Sequence, residues 1–216
     1  MRTRLVKVAG AIALSLAVLP IAAVGATAHP AVDVTNIQQV LAADDDDLPI
    51  PAEDTDTTPP AGEAADAPDH INGKVDAAAA KPSRDEAINR GRVWLTANGG
   101  KPVPYSQSKN WKDGYRQDCS GFVSMAWKIK APGLNTVGLK GVTTPITKAQ
   151  LLKGDALLDA NGTSNTRHVV LFVKWADAAK TKYVALEQRG GAGTSYRTIS
   201  YPYPSTPSEY KPVRYL

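Results

Sequence analysis

Between residues 81 and 216 the apolar positions change period along the chain, and each change marks an element. Ser83-Arg84-Asp85-Glu86 has the form of a capping box, in which a serine and a glutamate three residues on satisfy each other's free backbone N–H groups. The helix it starts would place Ala87, Ile88, Gly91, Trp94, Leu95 and Asn98 on one face, and Asn98-Gly99-Gly100 supplies the left-handed residues that end helices. The stretch VPYSQSKNWKDGYRQ has no period and reads as a loop. A second helix is expected over Ser120 to Lys130, with Phe122, Val123, Ala126, Trp127 and Ile129 apolar, stopped by Ala131-Pro132-Gly133.

After a further loop, ITKAQLLKGDALL reads as a short helical turn, a Gly-Asp turn and a strand. HVVLFVKW, TKYVALEQ and SYRTISYPY are rich in Val, Tyr, Phe and Thr and bounded by turn residues, which predicts an antiparallel meander. The glycines of RGGAGT precede no helix, so they make a hairpin turn rather than a phosphate loop. Helices first and strands after them give an α+β domain, not alternating βαβ units.

The first 80 residues are different in kind. Arg2, Arg4 and Lys7 precede an apolar run from Val8 to Val24 that closes on Ala26-Thr27-Ala28, the pattern of a secretory signal peptide over residues 1–28. A membrane anchor is the competing reading, but the run is short for a span and broken by Pro20. The expected product is therefore exported and free of the membrane after cleavage. Residues 29–80 hold one basic residue against twelve acidic ones, a net charge of −11, with no aromatic side chain. Such a segment cannot bury enough apolar surface to offset chain entropy, and it reads as a disordered linker or a pro-segment. Residues 81–216 hold 21 basic and nine acidic residues, a net of +12, with all four Trp and all eight Tyr. That composition suits one ordinary domain with anionic partners, such as extracellular wall polymers. No motif for specific nucleic-acid recognition accompanies the charge.

Cys119, the one cysteine of the chain, stands at the mouth of the second expected helix. Exported proteins normally pair their cysteines, so a single one is left for another chain or for reaction. At a helix N-terminus the unsatisfied N–H groups favour thiolate over thiol, and Gly121 would let a substrate approach without a side chain in the way. The plain alternative is a small buried hydrophobe. His29 and His70 lie in the N-terminal tail, which leaves His168 as the base of the folded half. A helix-heading Cys and a strand-heading His can meet across a helix–sheet interface, as in papain-like thiol hydrolases. A third group would hold the imidazole through Nδ1–H. Glu187 and Gln188 both qualify and point to opposite strand faces: Glu187 if the active face contains Tyr183 and Ala185, Gln188 after a one-residue shift. A carboxylate, which would also stabilise imidazolium, favours Glu187. With so few histidines neither a metal site nor a cofactor is expected.

DCSGF at residues 118–122, LLKGDALL at 151–158 and HVVLFV at 168–173 resemble the NlpC-type cell-wall peptidases, papain-like cysteine peptidases that cut amide bonds in peptidoglycan stem peptides. The resemblance spans residues 84–202. It implies helices on an antiparallel sheet, a catalytic domain over 81–216, Cys119 as nucleophile and His168 as base. It further implies that Tyr105 lines the cleft and that Asp118 and Ser120 help bind a free stem-peptide amine, although Asp118 could equally cap the helix. The chain departs from the family pattern at Lys153, where a proline is usual, at Val170, where a glycine is usual, and in lacking the common histidine at the third position. The implied product is a monomeric secreted hydrolase acting on peptidoglycan or peptide. An amidase cutting at the sugar lactate, an acyltransferase using the same dyad, and a non-catalytic wall-binding module are the alternatives.

Overall fold

The computed structural model describes Pro51 and residues 80–216. The expected signal peptide and almost all of the acidic stretch lie outside the described residues. Helix α1 spans Arg84–Val93, and the Ser83 hydroxyl accepts the Glu86 N–H at 3.1 Å, as the capping pattern requires. Glu86 also pairs with Lys128 at 3.0 Å. α1 also ends five residues before Asn98. The chain tightens into successive turns after Val93, and the Trp94 carbonyl is taken by the N–H of Val103 at 2.9 Å, so the backbone doubles back there. Gly99 and Gly100, at φ +62° and +83°, form the reversal itself.

Helix α2 spans Cys119–Ala126, shorter than the apolar pattern suggests because Lys128 turns left-handed at φ +58°. Helix α3, Thr136–Val142, falls in a stretch read from the sequence as loop; Asn135 caps it by accepting the Gly138 N–H at 2.8 Å, and Leu139 is its buried apolar residue. The strands are β1 Thr144–Pro145, β2 Ala156–Asp159, β3 His168–Trp175, β4 Lys182–Arg189, β5 Gly193–Ser200 and β6 Lys211–Arg214. They form one antiparallel sheet in the order β1-β6-β2-β3-β4-β5. The meander β2 to β5 follows the expected order, and Gly190 to Ala192 form the hairpin turn. The C-terminal β6, which no periodic signal announced, inserts between β1 and β2. The domain is thus α+β, three helices packed against a six-stranded antiparallel sheet, with Cys119 buried at the start of α2.

Alternation divides the sheet into two cores. Ala156, Leu158, Val169, Leu171, Val184 and Leu186 meet Phe122, Val123 and Ala126 of α2 and Ala87 and Ile88 of α1. Gly91 lets the two helices and β4 close up, for a Cβ there would stand 3.2 Å from the Phe122 ring and 3.4 Å from Leu186. On the opposite face Leu157, Val170, Phe172, Tyr183, Ala185 and Ile199 are covered by Tyr203 and Tyr210, from the connection between β5 and β6. Burying the Leu, Val, Ile and Phe side chains among these contributes roughly 1.5–3 kcal/mol each. The Gly-Asp turn ahead of β2 is a structural tie: buried Asp155 binds Arg84 at 3.0 Å and Arg214 at 2.7 Å, joining α1 to β6.

Gly121 serves this packing rather than an open approach to the helix end. A Cβ at that position would overlap the carbonyl of Arg116, whose backbone crosses directly over the first turn of α2. Since backbone cannot move aside as a flexible side chain can, Gly121→Ala should destabilise the domain by about 2 kcal/mol or more. Chemical denaturation of the variant checks this, and an unchanged midpoint would contradict the close crossing.

Candidate active site

The turn into α2 is built from charge and caps. Asp118 accepts the Gly121 N–H at 2.7 Å and the Ser120 hydroxyl at 3.2 Å. Its other oxygen holds Arg116 at 2.9 Å. Arg116 donates on to the carbonyls of Gly133 at 2.7 Å and Leu134 at 2.8 Å, and to the Ser120 hydroxyl at 3.2 Å. Asp118 and Ser120 are completely buried, so the two residues linked by resemblance to a substrate amine have their side-chain oxygens engaged inside the domain. Cys119 is the first residue of the helix, is itself fully buried, and forms no disulfide.

A second set of bonds fixes where this helix end lies. The Gln188 amide donates to the carbonyls of Gln117 at 3.1 Å, Pro104 at 3.1 Å and Val103 at 3.2 Å, while its oxygen accepts the Thr194 hydroxyl at 2.8 Å. The Ser106 N–H meets the same Gln117 carbonyl at 2.9 Å. The end of β4, the loop carrying Tyr105 and the residues just before Cys119 therefore form one braced corner. Tyr105 is half-buried there, its hydroxyl 3.5 Å from the Gln107 amide.

Glu187, the neighbour of Gln188, points to the other face and meets His168. Its Oε2 lies 2.8 Å from His168 Nε2. The sequence-based expectation used Nδ1 for this bond; the structure uses Nε2, and the buried Nδ1 has no hydrogen-bond partner. His168 shares its face with Tyr203 and Tyr210, its ring edge-on to them at 5.3 and 6.4 Å, while Cys119 belongs to the helix-side core. The structure thus brings His168 and Glu187 together on one face of the sheet and sets the start of α2 against the other, braced at the same end of β4 by Gln188.

Two members of this cluster were not singled out from the sequence. Arg197 on β5 donates through Nε to Glu187 Oε1, and the Tyr203 hydroxyl donates to Oε2 at 2.9 Å. The register Ala185↔Arg197 puts Arg197 on the Glu187 face, a placement readable only once the β4–β5 pairing is known. Tyr203 ends the run SYRTISYPY read from the sequence as a strand, but β5 stops at Ser200 and Tyr203 lies in the connection beyond it. Burial by itself would raise the Glu187 pKa, but the His168 hydrogen bond and charge, with those of Arg197, lower it from 4.5 to about 2. Burial, and then the Glu187 charge, push Tyr203 well above the ordinary phenol value, so its hydroxyl stays protonated and donates.

A carboxyl whose folded pKa is depressed contributes stability that is present above its unfolded value and lost as pH falls through the folded one. For Glu187 the window runs from 4.5 down to about 2. Urea unfolding at a series of pH values should therefore show stability falling across that window, with a shallower fall in Glu187→Gln. Equal slopes in the two proteins would remove the ionised Glu187 from the account. No family model matches the chain, and no curated protein matches it.

Proposed function

We propose that this chain is a secreted cysteine hydrolase of papain-like type, cutting amide bonds in the stem peptides of peptidoglycan. The observation that carries the reading is His168. Its Nε2 is held by an ionised carboxylate while its Nδ1 stays buried and unpaired, at the end of the sheet over which the one cysteine heads a helix.

With Glu187 ionised, the shared hydrogen resides on Nε2, and the neutral ring carries its lone pair on Nδ1. Nδ1 takes the proton of Cys119, and the thiolate attacks the amide carbonyl carbon. The N–H groups of Cys119 and Ser120, first in the helix and beyond the reach of any intrahelical carbonyl, face the developing oxyanion. The imidazolium returns its proton to the leaving amine as the C–N bond breaks, which leaves a thioester on Cys119. Water deprotonated by Nδ1 then attacks that thioester, releasing the carboxylic acid and the thiol. Catalytic hydrogen bonds commonly tighten only when substrate is bound, and the mechanism requires Nδ1 and the buried thiol to close in that way. The charge of +12 over residues 81–216 suits an anionic wall, and export through residues 1–28 would deliver the enzyme there.

Digestion of purified peptidoglycan, with mass identification of the fragments, tests the proposal. The wild type should release peptides cut at one amide bond, and Cys119→Ala should reduce the rate by on the order of 10⁴ or more. Cleavage at the lactyl amide would make it an amidase. Release undiminished in Cys119→Ala, or none by the wild type, would defeat the hydrolase reading and leave wall binding.

A further inference from the structure

We propose that Arg197 and Tyr203 are positioning residues that set the tautomer of His168, by holding both oxygens of Glu187 so that the carboxylate can only accept from the imidazole. This rests on the reading of His168 as the base and concerns what keeps its Nδ1 basic.

Oε1 of Glu187 receives Arg197 Nε–H, and Oε2 receives the Tyr203 hydroxyl at 2.9 Å beside His168 Nε2 at 2.8 Å. Arg197 Nη2 also donates to the Tyr203 oxygen at 3.1 Å. A hydroxyl that accepts from a guanidinium cannot donate back to it, so the Tyr203 hydrogen is steered onto Glu187. All four side chains are buried or nearly so, and a carboxylate there without a counter-charge would take up a proton. The tautomer depends on this. A protonated Glu187 could donate its hydrogen to Nε2, which would move the ring hydrogen to Nδ1 and take the lone pair from the nitrogen proposed as the base. Tyr203 also stacks on Tyr210 at 4.5 Å, and the two rings wall in the imidazole. The other titratable groups facing the pair are Asp159, opposite His168 on β2, with Arg167, Tyr183 and Tyr210. Asp159 spends one oxygen on the Asn161 N–H at 2.9 Å and does not replace Arg197 at Glu187.

Nitrogen-15 NMR of the full chain labelled at histidine reads the tautomer directly, with the His168 signals identified by their loss in His168→Gln. In the wild type with the ring neutral, Nε2 should be protonated and Nδ1 bare. In Tyr203→Phe and Arg197→Lys a measurable share of the ring hydrogen should move to Nδ1. Peptidoglycan hydrolysis should fall about tenfold at unchanged KM, the kinetic equivalent of losing one hydrogen bond to a charged group. Variants that melt like the wild type and keep its tautomer would overturn the proposal, as would Nδ1–H in the wild type itself. Should Arg197→Lys fail to fold, Tyr203→Phe, which removes a single oxygen, decides. If the wild type hydrolyses nothing, the hydrolase reading falls while the NMR result still judges Arg197 and Tyr203.

Discussion

Adjacent residues of a strand point to opposite faces, and at Glu187-Gln188 that alternation ties the two halves of the site to each other. Gln188 turns toward the helices and braces the carbonyls of Val103, Pro104 and Gln117. Glu187 turns away and holds the imidazole. A slip of one residue in β4 would exchange them, setting a neutral amide against His168 and a carboxylate against three carbonyl oxygens. The second arrangement is repulsive as well as unsatisfied. Register is fixed against it on both sides, by Leu171↔Leu186 toward β3 and by Glu187↔Ser195 toward β5, with apolar residues of the helix-side core filling the same face as Gln188.

Placing an ionised carboxylate in the second core is costly unless its donors are all present. Here those donors come from three separate parts of the chain: the start of β3, the middle of β5 and the connection after it. Tyr203 and Tyr210 belong to that connection, which runs from the outermost strand to β6 across the sheet face and covers His168 as it goes. The stretch YPYPSTPSEY, unremarkable as a tail, is therefore a wall of the site. The same crossing sets two aromatic rings edge-on to the imidazole, whose buried Nδ1 has no hydrogen-bond partner.

Local signals carried most of the fold's legibility. A serine with a glutamate three residues on, a Gly-Asp turn before a strand and three runs rich in Val, Tyr, Phe and Thr announced α1, β2 and the meander, because each depends on neighbours in sequence. What the sequence could not show depends on distant partners. α1 stops early because Val103 takes the Trp94 carbonyl, and β6 pairs only after the chain has crossed the sheet. The site was legible to the same extent. Cys119, His168 and the Glu187-Gln188 choice followed from residue type and element ends, whereas Arg197 needed the strand register and Tyr203 the crossover. The nitrogen of His168 that bonds Glu187 is a matter of side-chain geometry, to which no sequence pattern speaks.

Within Asp-Cys-Ser-Gly, caps, ion pairs and close packing account for the three residues around the cysteine. Asp118 is the helix cap and the partner of Arg116, Ser120 bridges those two side chains, and Gly121 is required by the backbone lying across it. None of these roles needs a substrate. Cys119 occupies a buried place at the helix start, within the helix-side core. Sulfur at that position is a nucleophile, and the proposed hydrolysis uses it as one. Cap, ion pair and close backbone crossing thus shape the turn around Cys119, and the proposed hydrolysis rests on that residue and on the base that would deprotonate it.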